Sequence, residues 1–337
     1  MFTGTQSWAF STSPVLLSGS AVGGPMEAQG PLASSFDLLF DDLWMEQTSY
    51  ENAQQRLMEE ASALAIQKAH IFDEQVDFFI SGDLINQMTP TNFAASTLQI
   101  PFLGTFNACA TSMESVALAA AIIEASGANY ILTGSSSHFS SAERQYRFPN
   151  EYGSQKPGTS QTTVTGAGCA MISKEGSGPI IKRATIGKII DLGITDPFNM
   201  GAAMAPAAAD TIITHLHDFQ LPITYYDAVV TGDLGKVGRD ICIQLLNDVK
   251  VSIAPNQFLD AGLMVYGPDQ QVFAGGSGSA CSAVVSFGHM LEQLQAKKVN
   301  RVLFVATGVL HSPLSIQQQK TMPAIAHAVA IENGSDE

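Results

Sequence analysis

Pro101-Phe-Leu-Gly-Thr-Phe-Asn-Ala-Cys109-Ala-Thr-Ser-Met-Glu114 is the stretch on which the fold reading turns. A short strand-like piece runs into a turn of small residues and then into a long helical pattern, with a cysteine at the junction. A thiol at that junction sits near the positive end of a helix, which favours thiolate and makes Cys109 a candidate nucleophile or pocket wall. The plainer reading is a small buried cysteine in a tight helix-packing site. Spacing alone leaves the two even.

Outward from this elbow the chain alternates strands and helices. Residues 77–81, 129–133, 227–231 and 301–306 are short, apolar and β-rich, as buried parallel strands are. Helical patterns cover 51–68, 113–126, 207–219 and 283–295. The alternation predicts an α/β fold. The halves also resemble each other. Gly82-Asp83-Leu84 is repeated as Gly232-Asp233-Leu234, 150 residues on, and Ala108-Cys109 is repeated as Ala280-Cys281, 172 residues on. Asn-x-x-Leu (Asn129, Asn300) and Thr-Gly (Gly134, Gly308) follow in order. A nearly constant offset that jumps once predicts a duplication with one insertion, placed at the hairpin-like stretch 262–275. The halves then run 1–175, carrying Cys109, and 176–337, carrying Thr231 and the glycine-rich loop 275–281.

With 31 acidic and 16 basic residues among 337, the net charge is −15, and 14% of residues are charged against a usual figure of about 25%. No basic stripe is available for phosphate contacts, so nucleic acid is excluded as a partner. The first basic residue is Arg56 and the longest strongly apolar run is the eight residues 116–123, so neither a secretory signal nor a membrane span is expected. The four cysteines are scattered with no CxxC pair, and the closest histidines, His215 and His217, point to different sides of a helix, so no metal site is expected.

Ala274-Gly-Gly-Ser-Gly-Ser-Ala-Cys281 reads as a loop that a ligand can approach closely, or as close packing of the duplicated helix on its twin. It is not a phosphate loop, since Gly235-Lys236 is followed by Val237, and Gly166-Ala-Gly168 lacks the third glycine of a dinucleotide fingerprint; no cofactor is called for. The polar stretch from Ser135 to Arg147 holds His138 and the pair Arg144 and Arg147, whose guanidinium forks suit planar carboxylates, though a solvated loop or an ion-pair cluster is the commoner use. Asp83 and Asp233 read as turn caps.

A cysteine at a strand–helix elbow in a duplicated α/β chain of this length resembles the thiolase superfamily. The resemblance implies two βαβαβαββ halves forming a five-layer αβαβα sandwich. In the superfamily's condensing enzymes a cysteine is acylated, and a His with a second His or Asn from the second half assists. Cys109 falls on the nucleophile, while Thr231 and Ser277 fall where the His and Asn stand in β-ketoacyl synthase III. With both partners replaced, the terms that dominate acyl-transfer rates are missing and no catalytic residue is expected.

Longer strings, among them Gly82-Asp-Leu-Ile-Asn-Gln87, Ala142-Glu-Arg-Gln-Tyr-Arg147, Met200-Gly-Ala-Ala-Met-Ala-Pro206 and Thr231-Gly-Asp-Leu-Gly-Lys236, resemble the stage V sporulation protein AD family of spore-forming Firmicutes. That resemblance implies binding of dipicolinic acid (pyridine-2,6-dicarboxylate), free or as its calcium chelate, for uptake into the developing spore and release at germination. It implies a place on the spore inner membrane, or in the forespore or mother-cell cytosol, beside membrane proteins of the same operon, and a homodimer as one state. Cys109, Thr231, Ser277 and Gly278 would form the pocket floor, with backbone N–H groups meeting a carboxylate. His138, Arg144 and Arg147 are wall or charge partners. His311 stands where the family has Leu and changes the pocket. The competing readings are an active condensing enzyme using Cys109 and a scaffold whose pocket is closed by side chains.

Overall fold

The computed structural model describes residues 1–146 and 156–334. The first half contributes strands β1 (Val15–Gly23), β2 (Phe78–Asp83), β3 (Phe102–Gly104), β4 (Tyr130–Ser137) and β5 (Gly166–Ser173). The second contributes β6 (Ile180–Thr185), β7 (Ala228–Thr231), β8 (Phe258–Asp260), β9 (Arg301–Val309) and β10 (Ala324–Glu332). Their spatial order is β8-β7-β9-β10-β6-β1-β5-β4-β2-β3. In each half three parallel strands are followed by two antiparallel ones, and the halves meet where Ile180 of β6 faces Val15 of β1.

The helices repeat the same way. In the first half they are α1 (Tyr50–Lys68), α2 (Thr89–Leu98), α3 (Thr111–Glu124) and the short α4 (Phe139–Tyr146). In the second they are α5 (Met200–Phe219), α6 (Gly235–Asp248) and α7, which starts as Ser279–Val284 and runs through π-helical Val285–Met290 into Leu291–Gln295. α1 packs on β1, β4 and β5, and α5 on β9 and β10, as outer layers. α3 and the start of α7 touch each other and strands of the sheet on both sides, which makes them the central layer. α3 is buried around almost its whole circumference, which explains its run of Ala, Val and Ile. Five layers result, α-β-α-β-α.

The same fastener recurs at corresponding points of the two halves. Asp77 accepts from the backbone N–H groups of Asn129 and Tyr130 (2.7 and 3.0 Å), and Asp227 from those of Asn300 and Arg301 (2.7 and 2.9 Å). Three details depart from the sequence reading. Ser7–Ala9 pairs with Arg183–Thr185, so the first residues of the chain add to the second half's strands. The stretch 262–275 is not a hairpin: it is a short helix (Ala261–Met264) and turns, after which Gly276 and Ser277 pair in parallel with Thr162 and Thr163. α5 begins before Pro206 and carries that proline inside it.

Candidate functional site

The elbow forms as follows. After β3 the chain turns through Asn107 into a tight turn at Ala108–Ala110 and then into α3. Ala108 takes a left-handed conformation, φ 50°, which a side-chain-bearing residue adopts at some cost. β9 presses on the turn from behind. A Cβ on Gly308 would lie 2.4 Å from the Asn107 carbonyl oxygen and 3.1 Å from the Cys109 nitrogen, so a glycine is required there.

Cys109 opens onto a cavity of about 590 Å³, its mouth included. The walls come from both halves: Leu84, Phe106, Ala108, Ala142, Tyr146 and Thr163 from the first, and Pro197, Met200, Met204, Ser277, Gly278, Val309 and His311 from the second. Among these lining residues none is Lys, Arg, Asp or Glu. Tyr146 donates to the Leu84 carbonyl, and its ring lies 5.5 Å from that of His311.

The floor is organised by Asp233, which is fully buried. Its Oδ2 accepts from the Ser277 hydroxyl (2.8 Å) and the Gly278 N–H (3.1 Å), its Oδ1 from the Thr307 hydroxyl (2.8 Å), and the Cys109 thiol also bonds to it. Gly278, at φ 102°, has a backbone that only glycine adopts readily. Burial, reinforced by the Asp233 carboxylate, pushes the Cys109 thiol well above its ordinary value. Of the two readings that spacing left even, the structure favours the small buried cysteine: desolvation, with the Asp233 carboxyl beside it, outweighs the helix end. Asp233 is no turn cap. The expectation that backbone N–H groups meet a ligand carboxylate also fails at Gly278, because Asp233 holds that N–H.

Of the anticipated residues, the structure brings Cys109, Ser277, Gly278 and His311 to one cavity. Thr231 does not line it: its hydroxyl donates to Asp260 (2.7 Å) and the Leu259 carbonyl (3.1 Å), facing away. Arg144 pairs with Glu51 on the surface and does not line the cavity; it borders an adjoining outer groove that shares Tyr146 and Pro197 with it. Arg147 lies outside the described residues. His138 is buried elsewhere. Its Nδ1 accepts from the Ser140 N–H (3.1 Å), so its Nε2 carries the proton and donates to the Leu43 carbonyl (2.8 Å), and its ring stacks on Tyr50. The residues missed from sequence, Leu84, Tyr146, Met200 and Met204, carry no chemical signature and come together only in three dimensions. Among the described residues no group of three or more His, Cys, Asp or Glu is placed to hold a metal.

His138 has a measurable consequence. Burial lowers it to about 4, so on acidification the unfolded chain takes up the proton first. Stability from this group is complete above the ordinary imidazole value of about 6.5 and is lost as pH falls towards 4, on the order of 3 kcal/mol in all. Denaturant unfolding at pH 7 and pH 5 should show a smaller drop for His138→Gln than for the unaltered protein. Equal drops would contradict this assignment.

The comparisons with known proteins follow this geometry. The family described as stage V sporulation protein AD (SpoVAD) matches residues 4–332. The stage V sporulation protein AD of Bacillus subtilis (strain 168) is 48% identical over 330 residues, 98% of this chain and 97% of that one. Three solved structures share the fold at low identity. Cerulenin-bound OleA of Xanthomonas campestris has a TM-score of 0.64 at 11% identity, covering 96% of this chain and 98% of that one. The 3-oxoacyl-[acyl-carrier-protein] synthase III of Aquifex aeolicus VF5 has 0.56 at 12%, covering 98% and 100%. Human mitochondrial 3-ketoacyl-CoA thiolase with CoA has 0.60 at 12%, covering 97% and 99%. The fold is thiolase-like.

Proposed function

Because the chain belongs to the stage V sporulation protein AD family, a family of sporulation proteins, we propose that it uses a thiolase-like cavity to bind and not to catalyse, and that the ligand is dipicolinate as its one-to-one calcium chelate. The observation that carries this reading is the lining itself. Dipicolinate is a dianion, and the described walls offer it no lysine or arginine. A buried charge without a partner is costly, and a net charge of −15 repels an approaching dianion. The chelate is neutral and planar. Leu84 and the thioethers of Met200 and Met204 suit its ring, with Tyr146 and His311 at the edge.

The condensing-enzyme reading has less support. Its nucleophile would have to be a thiol whose proton is held by burial, and the Ser277 hydroxyl and Gly278 N–H beside it are already bonded to Asp233. The cellular role that fits is passage of dipicolinate into the developing spore and out at germination, beside membrane-spanning partners. No helix among the described residues is long and apolar enough to cross a membrane, so partners of that kind would supply the path through it.

Soaking crystals with calcium dipicolinate tests the site. The expected result is planar density in the Cys109 cavity against Leu84 and Met204. Density confined to the Arg144 groove, or none at millimolar ligand, would contradict the proposal.

A further inference from the structure

Four donors converge on one carboxyl just behind the cavity floor: the Gly278 N–H, the hydroxyls of Ser277 and Thr307, and the Cys109 thiol. Convergent donors of this kind are how proteins hold a carboxylate or stabilise an oxyanion. Here the cluster is taken by the chain's own Asp233, which is wholly buried; burial pushes its carboxyl upward, and the hydrogen bonds from Thr307, Cys109, Ser277 and Gly278 pull it back.

The duplication shows how Asp233 came free for this role. Its twin Asp83 is spent locally, accepting from the N–H groups of Ile85 (2.7 Å) and Thr91 (2.9 Å) and from the Thr91 hydroxyl at the start of α2. At the start of α6 the N–H groups of Leu234 (2.9 Å) and of Gly235 (3.1 Å), the counterpart of Ile85, go instead to Asp260 on β8. Asp260 thus holds the turn, and the side chain of Asp233 swings across to Ser277, Gly278 and Thr307.

We propose that Asp233 is a built-in occupant of this donor cluster: it holds donors that an external carboxylate or thioester carbonyl would otherwise use, and so shuts such groups out. An incoming carboxylate would have to displace a covalently tethered one that already has four donors. Burial and the Asp233 carboxyl both push the Cys109 thiol upward. Asp233 therefore sets selectivity against ligands that would place a carboxylate or thioester carbonyl at the floor. This role goes beyond the ligand proposed above and does not depend on it.

Chemical rescue tests it. In Asp233→Ala the four donors are left without their acceptor, and added acetate should take the vacated place. The expected result is a melting temperature that rises with acetate in Asp233→Ala and is flat in the unaltered protein. Iodoacetamide labelling of Cys109, followed by intact mass, gives the second readout. At pH 8 it should be severalfold faster in Asp233→Asn, and acetate should slow it again in Asp233→Ala. Cys169, Cys242 and Cys281 are fully buried, so they do not confuse the signal. If the alanine variant folds only when acetate is present, the proposal stands. Folded variants that ignore acetate and label at the unaltered rate, or an alanine variant that acetate cannot restore, would overturn it.

Discussion

Replacing Cys109 with tryptophan is expected to abolish dipicolinate binding while leaving the fold in place. The thiol side chain stands at the cavity floor, 8% exposed, and the space before it is about 590 Å³ with an open mouth. The indole would project towards the open mouth, and the overpacking is expected to cost about 1–3 kcal/mol, which denaturant unfolding of the variant checks. It would fill the volume between Leu84 and Met204 that the ligand needs, weakening binding by about a hundredfold or more, nearly 3 kcal/mol. Spores carrying the variant should be depleted of dipicolinate. Normal content would favour a scaffold whose cavity has no use. Cys109→Ser gives the complement. A hydroxyl can donate to Asp233 as the thiol does, so binding should persist within a few-fold, whereas a nucleophilic mechanism would lose its activity.

The second large effect is expected at Gly308→Ala. The added Cβ would meet the Asn107 carbonyl oxygen at 2.4 Å, the Ala110 nitrogen at 3.0 Å and the Cys109 nitrogen at 3.1 Å. All three are backbone atoms of the elbow, and none can rotate aside. Either β9 or the elbow must move, at a cost of about 1–3 kcal/mol or more, read by denaturant unfolding. Because the elbow carries Cys109, ligand affinity should fall with stability. Gly158→Ala is the control: a Cβ there has nothing within 4 Å, and stability should change little. Equal effects of the two substitutions would remove the elbow-packing account.

The parallel strands and the helices were legible because their residues obey one rule each. Strands such as Ala228–Thr231 carry β-branched residues, and helices such as Tyr50–Lys68 show the helical period. β5 escaped notice because Gly166-Ala-Gly-Cys-Ala170 is built of small residues. The reason is three-dimensional: a Cβ on Gly168 would lie 2.4 Å from the Ala283 backbone of α7, so bulk is forbidden where helices pack on both faces. The duplication was visible in Gly-Asp-Leu and Ala-Cys, and the equivalent clamps at Asp77 and Asp227 give it a physical basis.

The site was less legible, because sequence displays polar groups but not their partners. Thr231, His138 and Arg144 were reasonable candidates from their chemistry, yet Asp260, Leu43 and Glu51 consume them. Asp233 was read by its likeness to Asp83, which does cap its turn; what differs is Asp260 on β8, which takes that duty in the second half. The helix-end argument for a reactive Cys109 thiolate leaves out burial, which pushes the thiol upward with the Asp233 carboxyl adding to it.

Titration calorimetry with dipicolinate, run with equimolar calcium and again with chelator, tests the central claim most directly. The account predicts micromolar or tighter binding with calcium, weakening by at least about tenfold when calcium is removed, because the described cavity lining offers the free dianion no lysine or arginine. Affinity that is unchanged or stronger without calcium, or no heat under either condition at millimolar ligand, would contradict it.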